Sequence, residues 1–236
     1  MNVLIVHAHP EPQSFNTAMK SLAAETLTAA GHTVEVSDLY AMGWNPVASD
    51  ADFSGRKNPE YMTYALEQRH GYESGSIAPD IAAEIEKLKR ADLVIFNFPL
   101  FWFSVPAMMK GWFDRVLVSG LCYGGMRFYD QGGLKGKKAL VTLTLGGREH
   151  MFGPEAIHGE LVDGMLRPIL RGTLAYTGMT VLPPFIGYHI PYLKPEARAQ
   201  ILEEYKAYLG RLDELEPLRF PRMEEFDAKL FPLPKG

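Results

Sequence analysis

The residue types most able to do chemistry fall in four short stretches. The first is His7-Ala8-His9-Pro10-Glu11-Pro12-Gln13-Ser14-Phe15-Asn16, which leaves an apolar run and enters a helical pattern. A helix N-terminus binds phosphate through its free N–H groups and its dipole. Ser14 and Asn16 can cap the helix or donate to a phosphate oxygen, and His9 can add a donor near a pyrophosphate. Ser14 as a plain N-cap is the competing reading, because capping is a common use of serine. The loop lacks both GxGxxG and the Walker lysine, so neither a Rossmann NAD site nor a P-loop NTPase fits. His7 and His9 share a face of an extended strand, but no third and fourth ligand accompanies them, and a metal is not expected.

The second stretch is Asn97-Phe98-Pro99-Leu100-Phe101-Trp102-Phe103-Ser104-Val105-Pro106. An apolar β-branched run precedes it and an amphipathic helix follows, with Pro106 in its first turn. Aromatic residues are more often core than ligand contacts. Here they sit between a strand and a helix, where loops face solvent, and they suit a flat aromatic ligand better than a sugar or a metal. The third, Thr142-Leu143-Thr144-Leu145-Gly146-Gly147, ends in two glycines that let a ligand approach the backbone closely, although a bland turn would explain Gly147 alone. The fourth, Glu149 to Gly159, carries His158. A lone histidine is usually structural. Beside an anionic ring it could hold the negative charge that develops on hydride transfer.

The elements that position these residues follow a βαβαβ rhythm. Strands are expected at 3–6, 32–36, 93–98, 138–145 and 180–182. Helices are expected at 15–30, 79–89, 105–118, 159–176 (interrupted near Pro168) and 195–215. Continuously apolar strands mark a parallel sheet covered by helices on both faces. An early phosphate-type loop favours the flavodoxin-like order 2-1-3-4-5, with ligands beyond the carboxyl ends of the strands. Two segments are additional. Residues 38–75 form a long polar insertion, of the kind that is usually functional or contacts a partner subunit. Residues 217–236, with four prolines, form a tail expected to wrap the surface of a domain spanning 1–216.

Composition narrows the class. The 236 residues are 47 % hydrophobic and carry a net charge of −4. That gives no basic footprint for nucleic acid. It is also weak for a strongly acidic electron carrier. Cys122 is the single cysteine, which excludes an intrachain disulfide and a cysteine-based zinc site. No signal peptide is evident at the N-terminus. The most apolar window, 93–109, is broken by Asn97, Pro99 and Pro106. A cytoplasmic location is the expectation.

Taken together, LIVHAHPEPQSFN, SDLYAMGWNP, ADLVIFNFPLFWFSVPAMMKGWFDRV, YDQGGLKGKKALVTLTLGG, AIHG and PEARAQIL resemble the NAD(P)H:quinone oxidoreductase (DT-diaphorase) family of flavodoxin-like flavoproteins, over residues 2–215. The resemblance implies a homodimer with FAD at each subunit interface. It also implies ping-pong transfer of a hydride from NAD(P)H to the flavin and then to a quinone. By position, His9, Ser14, Phe15, Asn16 and Ala18 would hold the FAD phosphates and ribityl end. Pro99, Leu100, Phe101, Trp102 and Phe103 would line the isoalloxazine ring. Thr144, Leu145, Gly146 and Gly147 would bind its polar edge, and Arg198 would lie near the adenine half. Tyr123 would cover the pocket and stack on substrate.

Two departures stand out. Phe101 replaces a frequent glutamine. Phe152 stands where the family pairs a tyrosine with the histidine kept here as His158, and phenylalanine cannot donate a hydrogen bond. Two other readings keep the fold: an FMN-dependent nitro- or azoreductase, and a regulatory subunit of a potassium-efflux antiporter. The insertion at 38–75 favours FAD, because a similar segment covers the adenine half in the family. It disfavours the regulatory subunits, which lack it.

Overall fold

The computed structural model describes residues 1–234; Lys235 and Gly236, the end of the expected tail, lie outside the described residues. Five strands run parallel in the expected order. β1 (Asn2–His7) lies between β2 (Thr33–Asp38) and β3 (Leu93–Pro99), and β4 (Lys138–Thr144) follows β3. β5 (Thr180–Val181) pairs with the start of β4. A sixth strand, β6 (Phe185–Gly187), pairs with its end. β5 and β6 together make one interrupted edge, broken at Leu182-Pro183-Pro184, because proline supplies no ladder N–H.

Alternation along the strands divides the core. Leu4, Val6, Val94, Phe96, Phe98, Val141 and Leu143 face one layer, and Val3, Ile5, Leu93, Ile95 and Leu140 face the other. The first layer is α3 (Pro79–Arg90), α4 (Ala107–Val116) and the broken helix over 161–175. The second is α1 (Phe15–Ala29) and α6 (Pro195–Leu209). In the broken helix, the short α5 (Arg167–Ile169) separates two π-helical turns, Leu161–Met165 and Leu170–Ala175. Pro168 removes an N–H and forces the neighbouring bonds to re-register. α6 stops at Leu209, short of the expected 215, and α4 starts at Ala107, with Pro106 as its N-cap residue.

The insertion is more ordered than its polar sequence implies. It contains a 3-10 turn (Asp50–Asp52) and α2 (Tyr64–Ser74), closed by Gly75 at φ 72°. The inward face of α2 is Glu67, Gln68 and Gly71, so no apolar stripe announces it. Arg115 of α4 clamps the segment. Its Nε and Nη2 donate to Asp52 Oδ1 at 3.1 and 2.9 Å, and its Nη1 donates to Asn45 O and Asp80 Oδ2, both at 2.9 Å. The guanidinium also lies 4.6 Å from the centre of the Trp44 ring. Gly111 permits the close approach of this segment to α4, since a Cβ there would fall 2.2 Å from Pro46 O. Residues 217–234 lie along the surface, tied by Leu218 N to Val181 O (2.9 Å) and by Met223 N to Asp130 Oδ1 (2.8 Å).

Candidate active site

β1, β3 and β6 are each followed by a loop that leads to the start of α1, α4 and α6. The segments singled out from sequence therefore collect beyond the carboxyl ends of the strands. At the start of α1, Ser14 is the N-cap: its Oγ accepts from Thr17 N at 3.1 Å. His9 Nδ1 accepts from Glu11 N at 3.0 Å, and burial holds its pKa below the usual histidine value. Phe15 packs on the second core layer, and Ala18 lies one turn on, with its N–H donating to Ser14 O. Asn16 is 1 % exposed. Its Oδ1 accepts from Thr144 Oγ1 at 2.5 Å, but its Nδ2 is buried without a partner. An unmet buried donor costs roughly 1–3 kcal/mol, and here it marks a place for an acceptor.

Beyond β3, Pro99 is buried and Leu100 N donates to Thr144 O at 2.8 Å. Phe101 and Ser104 exchange N–H···O bonds of 3.0 and 2.9 Å, closing a two-residue turn. Its central residues are Trp102 (φ 51°) and Phe103 (φ 56°). Two positive φ angles in a row normally call for Asn-Gly. Two aromatics held there store strain of about 1–3 kcal/mol each. The strain displays rings to solvent: Trp102 is 98 % exposed and Phe103 43 %.

Beyond β4, Leu145 is tied to Gly187 O, whereas Gly146 and Gly147 donate no backbone hydrogen bond among the described residues. A Cβ at Gly147 would lie 2.9 Å from Phe152 Cε2, so the glycine lets the Phe152 ring close on this turn. His158 lies between two rings, 5.4 Å from Phe103 and 5.2 Å from Phe152. The structure thus brings His158 and Phe152 to the margin of the exposed turn. Tyr123 belongs to a different group. It packs with Tyr176 (5.8 Å), which also stacks on Phe128 (5.6 Å), and it lines a cavity of about 460 Å³ between α2, α4 and 172–177. Among the described residues, no ring contact joins this group to Trp102, Phe103 or His158. Arg198 lies in the first turn of α6. Its Nη2 donates to Pro191 O at 3.3 Å, and its Nε is buried without a partner.

The family model described as a flavodoxin-like fold matches residues 1–211. Curated relatives narrow this further. The chain is 45 % identical to NAD(P)H dehydrogenase [quinone] 1 of Rattus norvegicus over 95 % of its own length and 82 % of the relative's. It belongs to the NAD(P)H:quinone oxidoreductase family. It is also 43 % identical to ribosyldihydronicotinamide dehydrogenase [quinone] of Homo sapiens, covering 92 % of this chain and 94 % of that protein. A solved structure from Klebsiella pneumoniae, assigned as a quinone reductase, superposes with a TM-score of 0.94 at 38 % identity, over 98 % of this chain and 93 % of the other.

The quinone oxidoreductase fold adds one wall that the sequence did not disclose. After β6, His189 N donates to Gly147 O (2.8 Å) and His189 Nδ1 lies 2.9 Å from Gly146 O, which makes Nδ1–H the donor. Tyr192 packs on His189 at 4.9 Å, and Tyr188 lies 6.0 Å from Phe152. The available signal was Phe185-Ile186, an apolar pair too short to read as a strand. No helix among the described residues is long and apolar enough to cross a membrane.

Proposed function

We propose that the chain is a cytoplasmic FAD-dependent NAD(P)H:quinone oxidoreductase that works by ping-pong hydride transfer as a homodimer. The observation that carries this reading is that two halves suited to a flavin lie together beyond the carboxyl ends of the parallel strands. One half is the strained, exposed Phe101-Trp102-Phe103 turn beside two unengaged glycine N–H groups. The other is the helix N-terminus, where Asn16 Nδ2 is buried and unpartnered. Donors at a helix start suit phosphate, and open aromatic faces suit a flat ring.

A bound flavin supplies the hydride chemistry, and the protein supplies position and electrostatics. In this reading Ser14, Asn16 and the first-turn N–H groups of α1 hold the phosphates, with His9 alongside. Pro99, Leu100, Phe101, Trp102 and Phe103 bound the ring. Thr144, Leu145, Gly146 and Gly147 address its polar edge. His158, whose backbone N–H is held by Met151 O while its ring makes no hydrogen bond among the described residues, holds a proton donor at the ring's margin. Arg198 Nε and the clamped insertion serve the adenine half, which favours FAD over FMN. The separate Tyr123–Tyr176 group finds a role if it covers the partner subunit's pocket.

An anaerobic visible spectrum of the FAD-loaded protein tests the reading. NADPH, NADH and dihydronicotinamide riboside are each added, and then a quinone. The expected result is bleaching by at least one reductant and recovery of the band with quinone. Bound flavin that no reductant bleaches would point to the regulatory-subunit reading, and absence of flavin binding would overturn the assignment. Sedimentation should give twice the chain mass. Asn16→Ala should weaken FAD binding about tenfold, the worth of one buried hydrogen bond.

A further inference from the structure

A chain of polar groups runs beneath the start of α1, crossing β1, β3 and β4. Asn97 Nδ2 donates to Thr142 Oγ1 at 2.9 Å, which leaves Asn97 Oδ1 facing His7 Nδ1 at 2.7 Å. His7 therefore carries its proton on Nδ1 when neutral. Its Nε2 meets Thr17 Oγ1 at 3.3 Å, and Thr17 Oγ1 lies 2.9 Å from the Ser14 hydroxyl and 3.2 Å from Glu11 O. His7 is 1 % exposed. None of this chain belongs to the hydride-transfer machinery.

We propose that His7 is a positioning residue that couples anion binding at the N-terminus of α1 to uptake of one proton. The inference rests on the flavin reading only in naming a flavin pyrophosphate as the anion.

The coupling follows from how the Thr17 hydroxyl is shared between His7, Ser14 and Glu11 O. With His7 neutral, Nε2 can only accept, so Thr17 O–H turns inward to it. The Thr17 oxygen then draws the Ser14 O–H, and the cap hydroxyl has no proton left for a ligand. With His7 protonated, Nε2–H donates to Thr17 Oγ1 and Thr17 O–H turns to Glu11 O. With one lone pair taken by the imidazolium, Thr17 Oγ1 holds the Ser14 O–H less strongly, and that proton can turn to an anion at the helix entrance. The positive charge beneath that entrance acts in the same direction. The charged groups around His7 are Asp38 at the end of β2, Lys20 of α1 and His9 of its own loop. Lys20 and Asp38 pair at 3.0 Å and largely offset each other. Burial holds the His7 pKa below the usual value in the unliganded protein, so the proton is there to be taken up when the anion arrives.

FAD is the probe, since its pyrophosphate stays fully ionised between pH 5 and 8.5; riboflavin, which lacks phosphate, is the control. Calorimetric titration of the flavin-free protein in buffers of different ionisation enthalpy should show uptake of up to one proton per FAD near pH 6.5. FAD affinity should rise as pH falls, by at most about tenfold per pH unit. Riboflavin should show no uptake. Thr17→Val, which breaks the chain but keeps His7, should abolish most of the uptake, as should His7→Gln. Histidine ring ¹⁵N spectra of the unsubstituted protein should show FAD raising the pKa of His7, so the test does not depend on a variant that folds. FAD binding without proton uptake, uptake residing on His9, or uptake that survives Thr17→Val would overturn the coupling and leave the flavin reading intact. Failure of FAD to bind at any pH would overturn both.

Discussion

At the scale of single residues, the proposed site has a phenylalanine beside His158 where the family resemblance implies a tyrosine. Phe152 packs against Gly147 and His158 but offers no donor, so His158 alone stands ready to meet negative charge at the ring margin. Phe152→Tyr should speed the reductive half-reaction about tenfold, equivalent to about 1.4 kcal/mol of barrier. Stopped-flow bleaching of the flavin band by NADPH checks it, and an unchanged rate would show that the missing hydroxyl does not limit transfer. His7 makes a second prediction. Its folded pKa lies below its unfolded value of 6.5 because of burial. The stability it contributes is therefore complete above pH 6.5 and is lost as pH falls through the folded pKa. The urea midpoint of the flavin-free protein should decline from pH 7.5 to pH 5, and His7→Gln should make that decline shallower.

At the scale of elements, the Phe101–Ser104 turn trades stability for display. Replacing Trp102-Phe103 with Asn-Gly relieves two unfavourable φ angles. The flavin-free variant should gain about 2 kcal/mol, raising Tm by about 4–8 °C, while FAD binding weakens. A lower Tm would mean that the rings stabilise the fold. The strain was not visible in sequence, because Phe101-Trp102-Phe103 reads as an aromatic loop whatever its φ angles. What sequence did disclose were segments whose own pattern decides them: the apolar runs of β1, β3 and β4, the Ser14 cap, and α3 with Ile81, Ile85 and Leu88. α2 was missed because its buried face is polar, with Glu67 accepting from Lys57 N and Asn58 N. β6 was missed because three residues carry no period. The grouping of Tyr123 with Tyr176, fifty-three positions apart, depends on the broken helix and has no local signature.

At the scale of the whole molecule, Arg115 joins the insertion to the sheet-covering layer through Asp52, Asp80 and Asn45. Arg115→Ala leaves Asp52, 1 % exposed, without its counter-charge and should cost about 3–5 kcal/mol. The loosened insertion should also narrow any preference for FAD over FMN, measured as the ratio of the two dissociation constants. A readily folded variant with an unchanged ratio would show that the segment does not contact the adenine half.

The interrupted edge made by β5 and β6 has a consequence for how copies of this chain meet while warming or refolding. A long, continuous edge is a template on which another chain can add a strand and seed insoluble deposits. Here the edge has two residues, of which Val181 already gives its carbonyl to Leu218 N, then a break at Pro183-Pro184, and three more. Neither proline has an N–H to lend, so an incoming strand finds no continuous row of partners.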